Sequence, residues 1–378
     1  MKIINAHVHM IDLENAFKPY TLADFEAEGN FFSGGNIDDT LSLMGSAKLI
    51  KQMDEAGIEQ SVLFACDAPI LYASNEYVAG LCEAYPKRLV GFSSVNPKRA
   101  NAVTLIDSAV KRMGLMGIYF HPPLQDFFPN DKAIFPIYEL LSALKIPAVF
   151  HVGSTPFGSI VRLDQANPLL LDEVANNFPR LKILLTSLGT LWNNEAFMVV
   201  EKHRNVYINT SSCAYELKGL LTNDNIIRVG VNKFIFGTAY PAPFGAKAHR
   251  MKEFVEAINS LPLPAEIKER IFFKNFQEFI EVEHKKKIQM EKLNVRQGMA
   301  LSEDTKKMMM SDVMKKAIAK IPQEGASKAA ELVARSFYKE MHKYGFSKEQ
   351  VISVASEIIS CLNKSLSGYV EKKDKKQC

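Results

Sequence analysis

Short runs of β-branched and aromatic residues recur about every 30 residues through the first three quarters of the chain, and stretches with helical spacing of apolar residues lie between them. The runs are Lys2–His9, Ser61–Cys66, Leu89–Val95, Gly117–His121, Ala148–Val152, Lys182–Ser187, Val206–Thr210 and Phe234–Thr238. Between the first two, Leu41, Met44, Leu49, Met53 and Ala56 give Asp39–Ala56 a helical stripe, and Gly57 stands where a helix stop is expected. Ala102–Met113 is a second such stretch. Eight strands alternating with helices over about 280 residues match a (β/α)8 barrel in count and length. The rival, a doubly wound open sheet, usually carries a glycine-rich phosphate loop after its first strand. Here that place holds His-Val-His and an irregular stretch around Gly29–Asn36.

With 378 residues, the chain extends well past such a barrel. After Lys285-Lys286-Lys287 the pattern turns to helices alone, expected at Ser302–Ile321, Ser327–Tyr344 and Ser347–Leu366. Ser347 with Gln350 fits a capping box, and Gly345 fits a stop for the helix before it. The expected organisation is therefore a barrel over 1–284, a linker over 285–300, a helical extension over 301–368 and a charged tail over 369–378. From Lys285 onward 20 Lys and Arg face 11 Asp and Glu, against 26 and 31 before it, so the net charge of +4 hides an acidic body and a basic end. The lysines are interspersed with acids and apolar stripes, as on a solvated helix surface, which argues against a nucleic-acid partner. An apolar face of Met308, Met309, Val313 and Ile318 is available for packing or for a homo-oligomer contact.

Five cysteines, Cys66, Cys82, Cys213, Cys361 and Cys378, include no C-x-x-C pair and read as thiols of a reducing compartment. The first residues lack the apolar core of a signal peptide, and no run approaches a membrane span. A cytoplasmic protein without a membrane partner is the expectation.

Four of the eight histidines fall at or near C-terminal strand ends: His7 and His9, His121, and His151. In a (β/α)8 barrel those ends form the functional face. Residues i and i+2 of a strand share a side, so His7 and His9 face one way and could hold one cation. A surface strand edge gives the same H-x-H pattern, so spacing alone leaves both readings open. His151, four strands on, favours the ligand pair. His203, His249, His284 and His342 lie in helical or linker contexts and are expected to be solvated or helix-surface residues.

At these residues the sequence resembles the amidohydrolase superfamily, in particular the amidohydrolase-related group of small-molecule hydrolases, lactonases and nonoxidative decarboxylases. The resemblance runs from about Met1 to Glu283. It rests on Ile4-Asn5-Ala6-His7-Val8-His9, on Gly117-Ile118-Tyr119-Phe120-His121-Pro122, on Pro147-Ala148-Val149-Phe150-His151-Val152-Gly153, on Leu185-Thr186-Ser187-Leu188-Gly189 and on Phe236-Gly237-Thr238-Ala239-Tyr240-Pro241.

The resemblance implies that His7, His9 and His151 bind a divalent metal, commonly zinc. It also implies a histidine near the end of strand 6, where this chain has Ser187, and an aspartate on strand 8, where it has Ala239. Three neutral imidazoles can hold zinc and acidify a bound water without a fourth protein ligand. The missing aspartate removes the expected general base, a group worth roughly 10²- to 10⁴-fold in rate. Ser187 donates a hydrogen bond but does not titrate near neutral pH. Tyr119 and His121 are the candidate substitutes. As bare residues they read equally as a barrel-filling aromatic and a structural imidazole.

Three readings follow. One is a metal-dependent hydrolase or nonoxidative decarboxylase acting on a small carboxylate, lactone or amide, with Tyr119, His121 and Ser187 near the substrate. Another is a degenerate barrel that binds a small molecule or a partner. The last assigns function to the basic helical region. The loops Asp12–Asn36 and Pro122–Asp131 would set the substrate.

Overall fold

The eight expected runs all form strands: β1 (Ile4–His9), β2 (Gln60–Phe64), β3 (Leu89–Phe92), β4 (Ile118–Phe120), β5 (Ala148–Phe150), β6 (Ile183–Leu185), β7 (Val206–Asn209) and β8 (Phe234–Ile235). The computed structural model describes residues 1–12, 15, 42–69, 71–155, 161–211, 214–241 and 250–280. The expected linker, helical extension and tail lie outside the described residues, as do His249, His284 and His342.

Every strand pair is parallel, in the orders β1-β2-β3 and β4-β5-β6-β7-β8. Two parallel bridges, Ser93 to Ile118 and Val8 to Tyr240, join these arcs into a closed ring. The Ser93 and Tyr119 N–H groups donate across one seam (2.8 and 2.7 Å), and the Ala6 and His9 N–H groups across the other (2.8 and 2.7 Å). The fold is the expected (β/α)8 barrel.

Outside the ring run α1 (Ser46–Glu55), α2 (Asn75–Ala84), α3 (Ala102–Lys111), α4 (Phe135–Leu144), α5 (Leu170–Asn177), α6 (Asn193–Lys202), α7 (Asn223–Val229) and α8 (Met251–Ser260). Local chemistry explains their limits. Ser74 caps α2 by accepting from the Tyr77 N–H at 3.0 Å, and Thr222 caps α7 through Asn225 at 3.2 Å. Gly57 follows α1 with a φ of +69°, the left-handed stop its position suggests. In α3 the buried residues Ala102, Ile106, Ala109 and Val110 fall on one face, which packs into the layer between helices and barrel.

Alternation along each strand divides two cores. Leu63, Ile118, Phe120, Ala148, Phe150, Ile183, Leu185 and Ile208 point out under the helices. Val62, Phe64, Phe92, Tyr119, Val149, Leu184 and Ile235 fill the barrel. Phe276, Phe279 and Ile280, from the helical turns after Ala265, close the inner core. Gly117 keeps the floor tight. A Cβ there would lie 2.2 Å from the Phe92 ring, so only glycine lets β4 approach that aromatic.

β1 departs from simple alternation. Asn5 pairs with Ser61 and Val8 with Leu63, so three steps on β1 match two on β2. This bulge changes the inward phase: Ile4 and Ala6 belong to the inner core, whereas two residues later Val8 belongs to the outer one. His7 and His9 therefore face in. Without the extra residue, the strand that buries Ile4 and Ala6 would turn both histidines outward.

Candidate active site

At the C-terminal mouth the two β1 histidines converge. Their Nε2 atoms lie 2.9 Å apart, and their rings meet edge to face at 4.8 Å. Phe64 and Tyr119, stacked at 4.6 Å, form the surface beneath. The Phe64 ring lies 4.8 Å from His7, and the Tyr119 ring 5.3 Å from His9. A second pair, His121 and His151, stacks face to face at 4.0 Å and 7°.

All four imidazoles are held neutral. Burial depresses His7 well below the usual 6.5, reinforced by His9 and His151 and opposed by its side-chain contact with Asn209. His9 is lowered to about 3 by burial and then by His151. His121 is pushed well down by burial and by His151, His9 and His7. His151 falls to about 4 from loss of hydration, against a contact with the Ser154 carbonyl. Neutral imidazole is the metal-binding form.

Neighbouring strands orient these rings. His7 Nδ1 lies 2.7 Å from Ser211 Oγ and 3.4 Å from Asn209 Nδ2, both at the end of β7. His121 Nδ1 accepts from the Leu124 N–H at 3.4 Å, and the His121 N–H donates to Gln125 Oε1 at 2.9 Å. Gln125 Nε2 in turn reaches Ser94 Oγ at 3.3 Å. The Gln125 carbonyl accepts from Asn96, which with Asp67, Tyr72, Lys98 and Arg99 lines a groove of about 470 Å³. His151 Nε2 turns toward its own loop, 2.9 Å from Thr155 Oγ1 and 3.2 Å from the Ser154 carbonyl.

Two polar atoms facing the inner core have no protein partner, His9 Nδ1 and the Tyr119 hydroxyl. The hydroxyl is raised well above its ordinary range by burial and by Cys66. Cys66 is a buried thiol outside any disulfide.

Of the expected site residues, the structure brings His7 and His9 into direct contact, sets Tyr119 beneath them and stacks His121 on His151. Ser187 joins through Ser211, 3.4 Å from Oγ to Oγ. Among the described residues no three His, Cys, Asp or Glu side chains form a metal-holding group, and His151 Nε2 is turned to Thr155 and Ser154. The donor chemistry still fits a divalent ion at the β1 pair. Two imidazoles bound to one tetrahedral zinc at about 2.0–2.1 Å place their nitrogens roughly 3.3 Å apart, close to the observed separation.

Sequence reasoning missed Asn209 and Ser211. The only available signal was their i, i+2 spacing at a strand end, in Asn209-Thr210-Ser211. His203, expected to be solvated or on a helix surface, is instead buried at 8% exposure, with Nε2 2.6 Å from Asp172 on α5.

The amidohydrolase family pattern matches residues 4–278. The chain belongs to the amidohydrolase family. None of the curated proteins matches this amidohydrolase. Among solved structures it resembles an uncharacterised TIM-barrel protein from Bordetella bronchiseptica, with 21% identity and a TM-score of 0.60 over 74% of this chain and 98% of that one. A 2,6-dihydroxybenzoate decarboxylase solved with 2,6-dihydroxybenzoate gives 17% and 0.57 over 75% and 99%. A dihydroxybenzoic acid decarboxylase from Polaromonas, solved with manganese and 2-nitroresorcinol, gives 16% and 0.55 over 75% and 97%. At such identities the likeness is one of fold.

Proposed function

We propose that this amidohydrolase holds a divalent ion, zinc or manganese, at the mouth of its barrel, and acts there as a hydrolase or nonoxidative decarboxylase on a small carboxylate, lactone or amide. The observation that carries the reading is the convergence of His7 and His9 Nε2 at 2.9 Å inside a cluster of neutral imidazoles. His7 and His9 would hold the ion, and His151 would complete the set by releasing Thr155. When bound, the ion supplies Lewis acidity toward a carboxylate or carbonyl oxygen. Manganese in the Polaromonas decarboxylase makes that ion as reasonable a candidate as zinc.

The chain's own groups carry the remaining work. The Tyr119 hydroxyl, buried and unpartnered, is a hydrogen-bond donor to an oxygen seated above Phe64. His121 accepts at Nδ1 from Leu124, which leaves its proton on Nε2 as a hydrogen-bond donor. Ser187 can orient a neighbour but does not titrate near neutral pH. The inner-core aromatics Phe64 and Phe92 keep bulk water from below.

One observation favours a second reading, ligand binding without turnover: position 239 is a buried alanine, so no strand 8 carboxylate enters the cluster. The test uses the full chain, stripped of metal and reloaded with zinc or manganese, against a dihydroxybenzoate, an aryl lactone and an aryl amide. Metal-dependent turnover that disappears in His7→Ala and His9→Ala supports the enzyme reading. A metal-loaded chain that binds these compounds without converting them supports the second.

A further inference from the structure

Asn209 and Ser211 form a relay behind His7 whose proton positions follow from counting donors. Asn209 Oδ1 accepts from the Ser187 N–H at 2.9 Å and the Ser211 N–H at 3.2 Å. Two main-chain donors aimed at one atom fix it as the oxygen, because the amide NH₂ could accept neither. That oxygen also lies 2.5 Å from Ser211 Oγ, so the single hydroxyl proton of Ser211 is spent on Asn209. The lone pairs of Ser211 Oγ then face the Ser187 N–H at 3.2 Å and His7 Nδ1 at 2.7 Å. The Asn209 NH₂ also approaches His7 Nδ1, but at 3.4 Å against 2.7 Å for Ser211 Oγ, so the shorter contact decides and His7 Nδ1 carries a proton, which leaves the lone pair on Nε2.

We infer that Ser211, oriented by Asn209, is a positioning residue that locks His7 into the Nδ1–H tautomer and so presents Nε2 as a ready metal donor. The inference rests on the metal-site reading for its consequence, but the tautomer itself exists without metal. It also assigns the partner ring. In the metal-free protein the 2.9 Å contact is an N–H···N bond donated by His9 Nε2 to His7 Nε2, with His9 Nδ1 left bare and unpartnered. Metal loading then moves the proton of His9 from Nε2 to Nδ1 and leaves His7 unchanged. Ser187, in the slot where the resemblance implies a catalytic histidine, contributes through its main-chain N–H to the same relay.

The test is long-range ¹⁵N–¹H correlation of the histidine rings in the full chain, metal-free and then zinc-loaded, with zinc affinity measured by competition against a chromophoric chelator. The expected result is a single Nδ1–H tautomer for His7 in both states and a tautomer change at His9 on loading. Ser211→Ala should mix the His7 tautomers and weaken zinc binding about 10- to 100-fold, the usual effect of losing such a partner. Ser211→Thr, which keeps the hydroxyl, should restore both. An Nε2–H tautomer at His7, or a Ser211→Ala protein with unmixed tautomers, overturns the inference. If wild type binds no zinc, the metal reading fails while the tautomer measurement still decides the relay.

Discussion

Lowering pH should destabilise the metal-free barrel well above the range in which carboxylates protonate. A histidine exposed in the unfolded chain titrates near 6.5, whereas His9 in the fold stays neutral down to about 3 and His151 to about 4. Between those values the unfolded chain binds protons that the folded one refuses, so stability is full above pH 6.5 and falls as pH drops toward 4. At pH 5 each such group costs about 2 kcal/mol relative to pH 8, since a tenfold change in protonation is worth about 1.4 kcal/mol. His9 and His151 together therefore remove about 4 kcal/mol, and His7 and His121 act in the same direction. A domain's total stability is about 5–15 kcal/mol. The assay is urea unfolding at a series of pH values in chelator, followed by the fluorescence of Trp192, the single tryptophan, which stands at the start of α6 and reports on the barrel. Metal must be absent, because an ion bound only to the folded state would mask the effect. His9→Gln should reduce the loss between pH 8 and 5 by about 2 kcal/mol. Stability that changes by less than about 1 kcal/mol over this range, or an undiminished loss in His9→Gln, would refute the claim that the cluster is buried and neutral.

The same assay checks two points in the barrel floor. Gly117→Ala places a methyl group 2.2 Å from the Phe92 ring and should cost about 1–3 kcal/mol, much of it recovered in combination with Phe92→Leu; equal costs in both backgrounds would show that the ring is not the obstacle. Asn275→Ala removes the amide that donates to the Phe234 and Val231 carbonyls at 2.7 and 2.9 Å below β8, and should cost about 1–3 kcal/mol; an unchanged urea midpoint would contradict that role.

All eight strands were legible because parallel strands buried on both faces read as short continuous apolar runs, such as Val62–Phe64. Their ends were less so. From β2 onward each ladder stops before the run of strand-forming residues does, as at β6, which ends at Leu185 although the pattern continues to Ser187. There the chain leaves the ladder to aim side chains into the mouth: Ser187 and Ala239 adopt left-handed φ values of 58° and 51°. The H-x-H spacing announced that His7 and His9 share a side, but not which side, since the bulge in β1 sets that and no residue type marks it. His151 was legible as a position at a strand end. Its present hydrogen bonds to Thr155 and Ser154 depend on a loop conformation that local pattern does not encode. The relay through Asn209 and Ser211 spans about 200 residues of sequence to reach His7, and contacts of that kind appear only once the ring is closed.

The central claim is that His7 and His9 form a metal site. Elemental analysis of the full chain, purified without chelator from cells supplied with zinc and manganese, tests it most directly. Near-stoichiometric divalent metal in wild type, lost in the folded His7→Ala and His9→Ala variants, is the predicted result. A wild-type protein free of metal, or variants that retain it in full, would contradict the claim.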